Sequence, residues 1–176
     1  GSRGIPGDWR NQKAHGGGMV LDWGIHLLDQ ALRIGEGRKL ISVYAELTNV
    51  TNEECDDGFR VTLIFEGDLS MYVEVTTSNF IELPRWYILG ENRDAVPILA
   101  GVGLTKTMAP RTDDTIKHYP LPKVDSSWTQ FYENVFAALR GEEEQLITHD
   151  QQRRLLKLVD AIFESGNENK VVFFDK

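Results

Sequence analysis

Asp22, His26 and Asp29 are the residues of this chain whose types and spacing suit proton chemistry. They follow three consecutive glycines, Gly16, Gly17 and Gly18, and Ile25, Leu28, Ala31 and Leu32 recur among them at helical spacing. A helix beginning near Asp22 would therefore carry all three polar residues on roughly one face. A carboxylate beside an imidazole can take up and release a proton near neutral pH. Glycines are used where the chain turns sharply or lets another group come close. An aspartate in a first helical turn also interacts well with the helix dipole, and an Asp and His four apart are common on solvated helices, so spacing alone does not make a site. His15 with Asp22, His26 and Asp29 offers acceptable zinc ligand types, but the spacing fits no familiar pattern and no metal is expected.

The elements that must position this stretch are legible on both sides of it. Residues 1–15 are polar, with Gly4, Pro6 and Gly7, and read as an extended entry segment, either a plain exposed arm or one from which Trp9 and Arg10 reach a ligand. Gly35 follows Ile34 as a left-handed helix stop. Residues 41–49 switch to period two, with Ile41, Val43, Ala45 and Leu47 on one face and Ser42, Tyr44, Glu46 and Thr48 on the other, the mark of a half-buried strand. Residues 51–57 form an acidic loop. A hairpin follows, with strands at 61–65 and 69–76 around Gly67 and Asp68. Residues 86–89 and 95–99, flanking 91–94, suggest a second hairpin, and 115–119 a further strand before the linker that holds Pro120 and Pro122.

Two helices close the chain. Ser127 with Gln130 and Thr148 with Gln151 fit capping boxes. Trp128, Phe131, Tyr132, Val135 and Leu139 form one apolar stripe, ending before Gly141 and assigned to the core; Leu155, Leu158, Val159 and Ile162 form the next, ending at Gly166. Residues 171–174 read as a terminal strand. The expected architecture is α+β: a single domain over 1–176 with a mostly antiparallel or mixed sheet and helices packed on one face.

Net charge is -8 with no basic block, which argues against nucleic acid or an anionic membrane as partner. No apolar run has the length of a membrane span and no signal pattern opens the chain. Cys55 is the only cysteine, so no internal disulfide and no cysteine-rich zinc site can form. A cytoplasmic location is expected.

Gly16-Gly17-Gly18, then Asp22-Trp23-Gly24-Ile25-His26, then Asp29, resembles the GGG-x3-D-x-G-x-H-x2-D signature of the C-terminal domain of the glucose-fructose oxidoreductase and inositol dehydrogenase (Gfo/Idh/MocA) family. Looser marks follow the same order: Trp9-Arg10, Asp56-Asp57 before a strand, Pro84-Arg85-Trp86 leading to Gly90, Phe131-Tyr132 with Asn134, and a last helix containing VDAIFESG. The resemblance runs over nearly the whole chain. It implies a substrate-binding half of an NAD- or NADP-dependent oxidoreductase acting on a secondary alcohol of a sugar or polyol. His26 would be general base and Asp22 its catalytic partner. Trp9, Arg10, Trp23 and Asp29 would contact substrate, and Gly17 and Gly18 the cofactor.

The family's N-terminal dinucleotide-binding domain, with its glycine-rich turn and a lysine that joins the active site, is not found in this sequence. Gly101-Val102-Gly103 places Lys106, and Gly35-Glu36-Gly37 places Leu40, where the third glycine of G-x-G-x-x-G belongs. The chain by itself is therefore expected to bind no cofactor and to turn nothing over. Family likeness also implies a homo-oligomer formed through the open sheet face, for which Tyr44, Met71, Tyr72 and Trp86 are candidates. The rival expectation is a sugar-sensing or dimerisation module that kept the fold without catalysis.

Overall fold

The computed structural model describes residues 7–81, 83–90, 93–100, 103–110, 117–120 and 128–174. They divide into two compact units, one from residues 1–79 with 145–176 and the other from 80–144.

The first unit holds a four-stranded sheet of order β3-β2-β1-β7, built from β1 (Leu40–Thr48), β2 (Gly58–Phe65), β3 (Ser70–Thr76) and β7 (Val172–Phe173). Every neighbouring pair is antiparallel. Helices α1 (Ile25–Ile34) and α3 (His149–Glu168) complete it. Val43 and Ala45 of β1, Phe59, Val61, Leu63 and Phe65 of β2, and Val73 of β3 share one core with Leu28 and Leu32 of α1 and Leu155, Leu158 and Ile162 of α3. The fold is the expected α+β arrangement, with alternate strand residues turned to the helices.

The turn between β2 and β3 matches the expected hairpin, because Gly67 and Asp68 both have positive φ (74° and 59°) and such turns follow the right-handed strand twist. In β1 the expected face is off by one residue at its start. The register shifts between Leu40 and Ser42, so Leu40 is buried and Ile41 is exposed. A bulge of this kind reverses the alternation on one side of it only.

Three helix details differ from expectation. Gly35 is not left-handed (φ -83°); a Cβ there would sit 2.6 Å from the Phe65 ring, so close packing explains the glycine. Helix α3 runs through Gly166, whose missing Cβ makes room for Leu47, and ends at left-handed Asn169. Its capping box is as expected, with both reciprocal bonds between Thr148 and Gln151. At the other end of the chain, residues 9–11 and 13–15 form two 3-10 turns rather than an extended arm. The Asp8 side chain caps the first turn and left-handed Gly16 closes the second.

The second unit holds a three-stranded antiparallel sheet, β4 (Arg93–Ala100), β5 (Gly103–Pro110) and β6 (Lys117–Pro120), and helix α2 (Thr129–Leu139). The hairpin here joins β4 to β5; residues 86–89 are not its first strand, although Glu91 and Asn92 lie outside the described residues. Ser127 and Thr115 lie outside them too, and Trp128 at the start of α2 makes no side-chain cap. The aromatic stripe of α2 is exposed, not core. Its buried residues are Asn134 and Ala137, because the chain doubles back after left-handed Gly141 and Asn134 donates to the Glu143 carboxylate (3.1 Å) and the Glu144 carbonyl (2.9 Å). Among the described residues no helix is long and apolar enough to cross a membrane.

Candidate functional site

The glycine stretch leads into α1 through a single π turn, Val20–Gly24, in which the Gly24 amide reaches the Met19 carbonyl five residues back at 2.7 Å. A π turn holds one residue more than an α turn and occurs often at functional positions. Asp22 and Trp23 sit on it, and His26 follows in the first turn of α1.

Each glycine of the motif has its own structural reason. Gly17 is buried against the 9–11 turn, where a Cβ would lie 2.4 Å from the Arg10 carbonyl oxygen. Gly18 has φ 113°, and a Cβ there would lie 2.3 Å from Asp56 Oδ1. Gly24 faces the Phe59 ring, 2.9 Å from where its Cβ would be. The Gly17 amide donates to the Gln12 carbonyl (3.0 Å) and the Gly18 amide to the Arg10 carbonyl (2.9 Å). Any cofactor contact from these two glycines must therefore use a Cα or carbonyl edge, since neither amide is left to donate to a phosphate.

Docking of the arm brings Arg10 to Asp22, with Nε 3.4 Å from Oδ2. Arg10 also lies 3.7 Å from the Asp8 carboxylate and stacks over the Trp9 ring at 4.6 Å. A part-exposed pair of this kind contributes at most about 1 kcal/mol, so its effect is orientation more than stability. The carboxylate of Asp22 is thus partnered by Arg10 and not by His26. His26 is exposed, and among the described residues its imidazole has no hydrogen-bond or ion-pair partner. Asp29 pairs with Arg33 one turn further along α1 (2.8 Å), apart from the Arg10–Asp22 pair. Trp9 and Trp23 remain about half exposed, at 48% and 53%. Among the described residues no group of three or more His, Cys, Asp or Glu side chains is arranged to hold a metal ion.

Beneath this surface lie Asp56 and Asp57, both buried and neither given a role by sequence reasoning. Asp56 Oδ2 accepts from the Val20 amide at 2.8 Å, and its backbone carbonyl accepts from Met19 at 3.0 Å. Burial raises its pKa above the ordinary carboxylate value, against the opposing pull of those amides. Asp57 is also penalised by burial, but amide and hydroxyl donors from the loop outweigh that and lower its pKa. Among them are the backbone amide of Thr51 and its hydroxyl, the latter at 2.9 Å. Two acids placed immediately before an apolar strand were the available signal, since a carboxylate drawn inside by its neighbours must find donors there.

Fold and site together define an α+β domain with a polar cluster built on a glycine turn at the start of its first helix. Residues 1–96 match the GFO/IDH/MocA C-terminal domain, and the chain belongs to that family. It is similar to an NAD-binding protein from Listeria innocua (39% identity over 98% of this chain, TM-score 0.79). It shares its fold with the Bacillus subtilis protein yvaA (20% identity over 90% of this chain, TM-score 0.77). The same holds for the WlbA dehydrogenase from Bordetella pertussis, solved with NADH and UDP-GlcNAcA (19% identity over 91%, TM-score 0.60). The chain spans 56%, 52% and 46% of those three proteins, about half of each. No curated protein matches it.

Proposed function

We propose that this chain is the substrate-binding half of an NAD- or NADP-dependent oxidoreductase that interconverts a secondary alcohol and a ketone on a sugar, polyol or related small molecule. The observation that carries the reading is the imidazole of His26, exposed and without a partner among the described residues, one helical turn from the Arg10–Asp22 pair. Likeness to an NAD-binding protein along 98% of the chain supports it. A nicotinamide bound by another part of the protein supplies the hydride acceptor.

This chain's residues handle the proton. Loss of hydride from the carbinol carbon leaves its hydroxyl strongly acidic, and a base placed at that oxygen takes the proton as the C=O bond forms. His26 is that base. Asp22, held by Arg10, accepts a hydrogen bond from the reacting or neighbouring hydroxyl and favours the charged ring that results. Trp9 and Trp23 offer flat apolar faces of the kind that pack against sugar C–H bonds, and Asp29 borders the site from the next turn. The open sheet face carries Tyr44, Ile64 and Tyr72, with Arg60 between Glu46 and Glu74; a second copy of the protein covers it in this reading. Met71 is not part of that face, since it packs against the core, and Trp86 belongs to the other unit. Sedimentation across a concentration range tests the assembly.

The experiment for the activity is His26→Ala in the full-length protein. Polyol-dependent reduction of NAD or NADP is expected to fall by roughly 10²–10⁴-fold, the usual contribution of a general base. Unchanged turnover would remove His26 from the reaction. Failure of the intact wild-type protein to bind either dinucleotide would favour a non-catalytic sugar sensor.

A further inference from the structure

We infer that Asp56 is a positioning residue for the site: it clamps residues 18–20 from beneath and so sets where the π turn holds Asp22 and from what angle His26 leaves α1. The role rests on the proton transfer proposed above, whereas the clamp itself stands on geometry alone.

A helix begins with amides that have no partner inside it, and a local Ser, Thr, Asp or Asn ordinarily accepts from them. Here the residue before the π turn is Met19, whose side chain has no oxygen to offer. Asp56, 36 residues on from Val20 and 8% exposed, takes that place. Its carboxylate accepts from Val20, its carbonyl accepts from Met19, and Oδ1 fills the space that a side chain on Gly18 would need. Three consecutive residues are therefore seated on one.

Those residues control the groups above them. The Gly18 carbonyl accepts from the Asp22 amide at 3.0 Å, and its amide donates to Arg10, whose side chain holds the Asp22 carboxylate. The Met19 carbonyl closes the π turn. A shift at Asp56 passes to Asp22 through both its backbone and its ion pair, and to His26 through the turn that starts α1. Asp57 does different work, tying its own loop through Thr48 and Thr51.

Asp56→Asn and Asp56→Ala in the full-length protein test this, with Val73→Ala, a change in the shared core outside residues 18–24 that makes no hydrogen bond to them, as the stability control. Asn keeps one acceptor oxygen of the same reach, so the order of effect is Ala above Asn. Amide exchange across residues 18–24 is expected to quicken on the order of ten-fold or more in Asp56→Ala, beyond the change elsewhere in the unit. Turnover is expected to fall about ten-fold with KM moving less than roughly three-fold, because the reacting geometry is lost and most binding contacts stay. Asp56→Asn should recover part of both.

If Val73→Ala at equal Tm loses as much turnover, or if the turn keeps its protection in Asp56→Ala, Asp56 positions nothing. Should Asp56→Ala fail to fold, Asp56→Asn against Val73→Ala decides the matter by the same two readouts. If the wild-type protein reduces neither dinucleotide, the oxidoreductase reading falls, and the exchange comparison still decides whether Asp56 holds the turn.

Discussion

Substituting the three glycines one at a time by alanine separates two costs that usually come together. Gly16 has φ 74° with nothing within 4 Å of a new Cβ, so Gly16→Ala pays only for a left-handed backbone, about 1–2 kcal/mol. Gly17 needs no positive φ, but its Cβ would meet the Arg10 carbonyl oxygen at 2.4 Å and the Gln12 nitrogen at 2.8 Å. Both neighbours are backbone and cannot swing aside. The arm must lift, weakening the bonds to Gln12 and Arg10, for about 3 kcal/mol in all. Gly18→Ala combines strain at φ 113° with displacement of the Asp56 carboxylate, about 4 kcal/mol. Against a typical stability of about 5–15 kcal/mol, the last two changes come near the limit of folding.

Urea unfolding with an unchanged slope reads these differences directly. One double variant checks the cause. Asp56→Ala removes the atoms that a Gly18 side chain would strike, so Gly18→Ala with Asp56→Ala should cost clearly less than the two single changes added together. Strict additivity, or a Gly17→Ala no worse than Gly16→Ala, would show that the close contacts are not what demands glycine here.

Two further outcomes follow from groups elsewhere in the first unit. Ser165 is fully buried, accepts from the Ala45 amide at 2.8 Å and donates to the Lys170 carbonyl at 2.6 Å, so Ser165→Ala should lose about 2 kcal/mol, read as a drop of roughly 4–8 °C in Tm; a drop under about 1 °C would mean those groups find other partners. Asp57 has a lowered folded pKa, so its stabilisation is complete above the unfolded value near about pH 4 and disappears as pH falls through the folded value. Wild type should therefore exceed Asp57→Asn in stability at neutral pH, with the gap closing in acid. Asp56, raised by burial, runs the other way: its contribution is full below the ordinary value and lost as pH rises through the raised one. Asp56→Asn should thus show a steeper acid loss than wild type, and parallel curves would refute the assignment.

Periodicity was enough to place α1, α3, β1, β2 and β3, because each buries one regular face in a shared core. It failed where tertiary contact decided the matter. Gly35 and Gly166 look like stops, and both are spacers for a neighbouring side chain, Phe65 and Leu47. The stripe of α2 looked like core because aromatic residues usually are, yet that helix turns Asn134 inward. The motif residues Asp22, His26 and Asp29 were legible from type and spacing, but their partners were not. A guanidinium from the arm reaches Asp22 through a fold-back that no local pattern announces. Asp56 was hidden for the same reason, its partner lying 36 residues upstream.

The π turn makes chain length itself part of this site. Removing one residue between Val20 and Gly24 would let that stretch rewind as an ordinary α turn: the segments on either side keep their phase, because the π turn is what absorbs the extra residue, but the side chains inside it are re-aimed. Asp22 and Trp23 could keep their identities and still end on the wrong side of His26. Relatives that conserve every motif letter but differ by one position in this interval would then present another arrangement to whatever they bind, so gaps here carry as much meaning as substitutions.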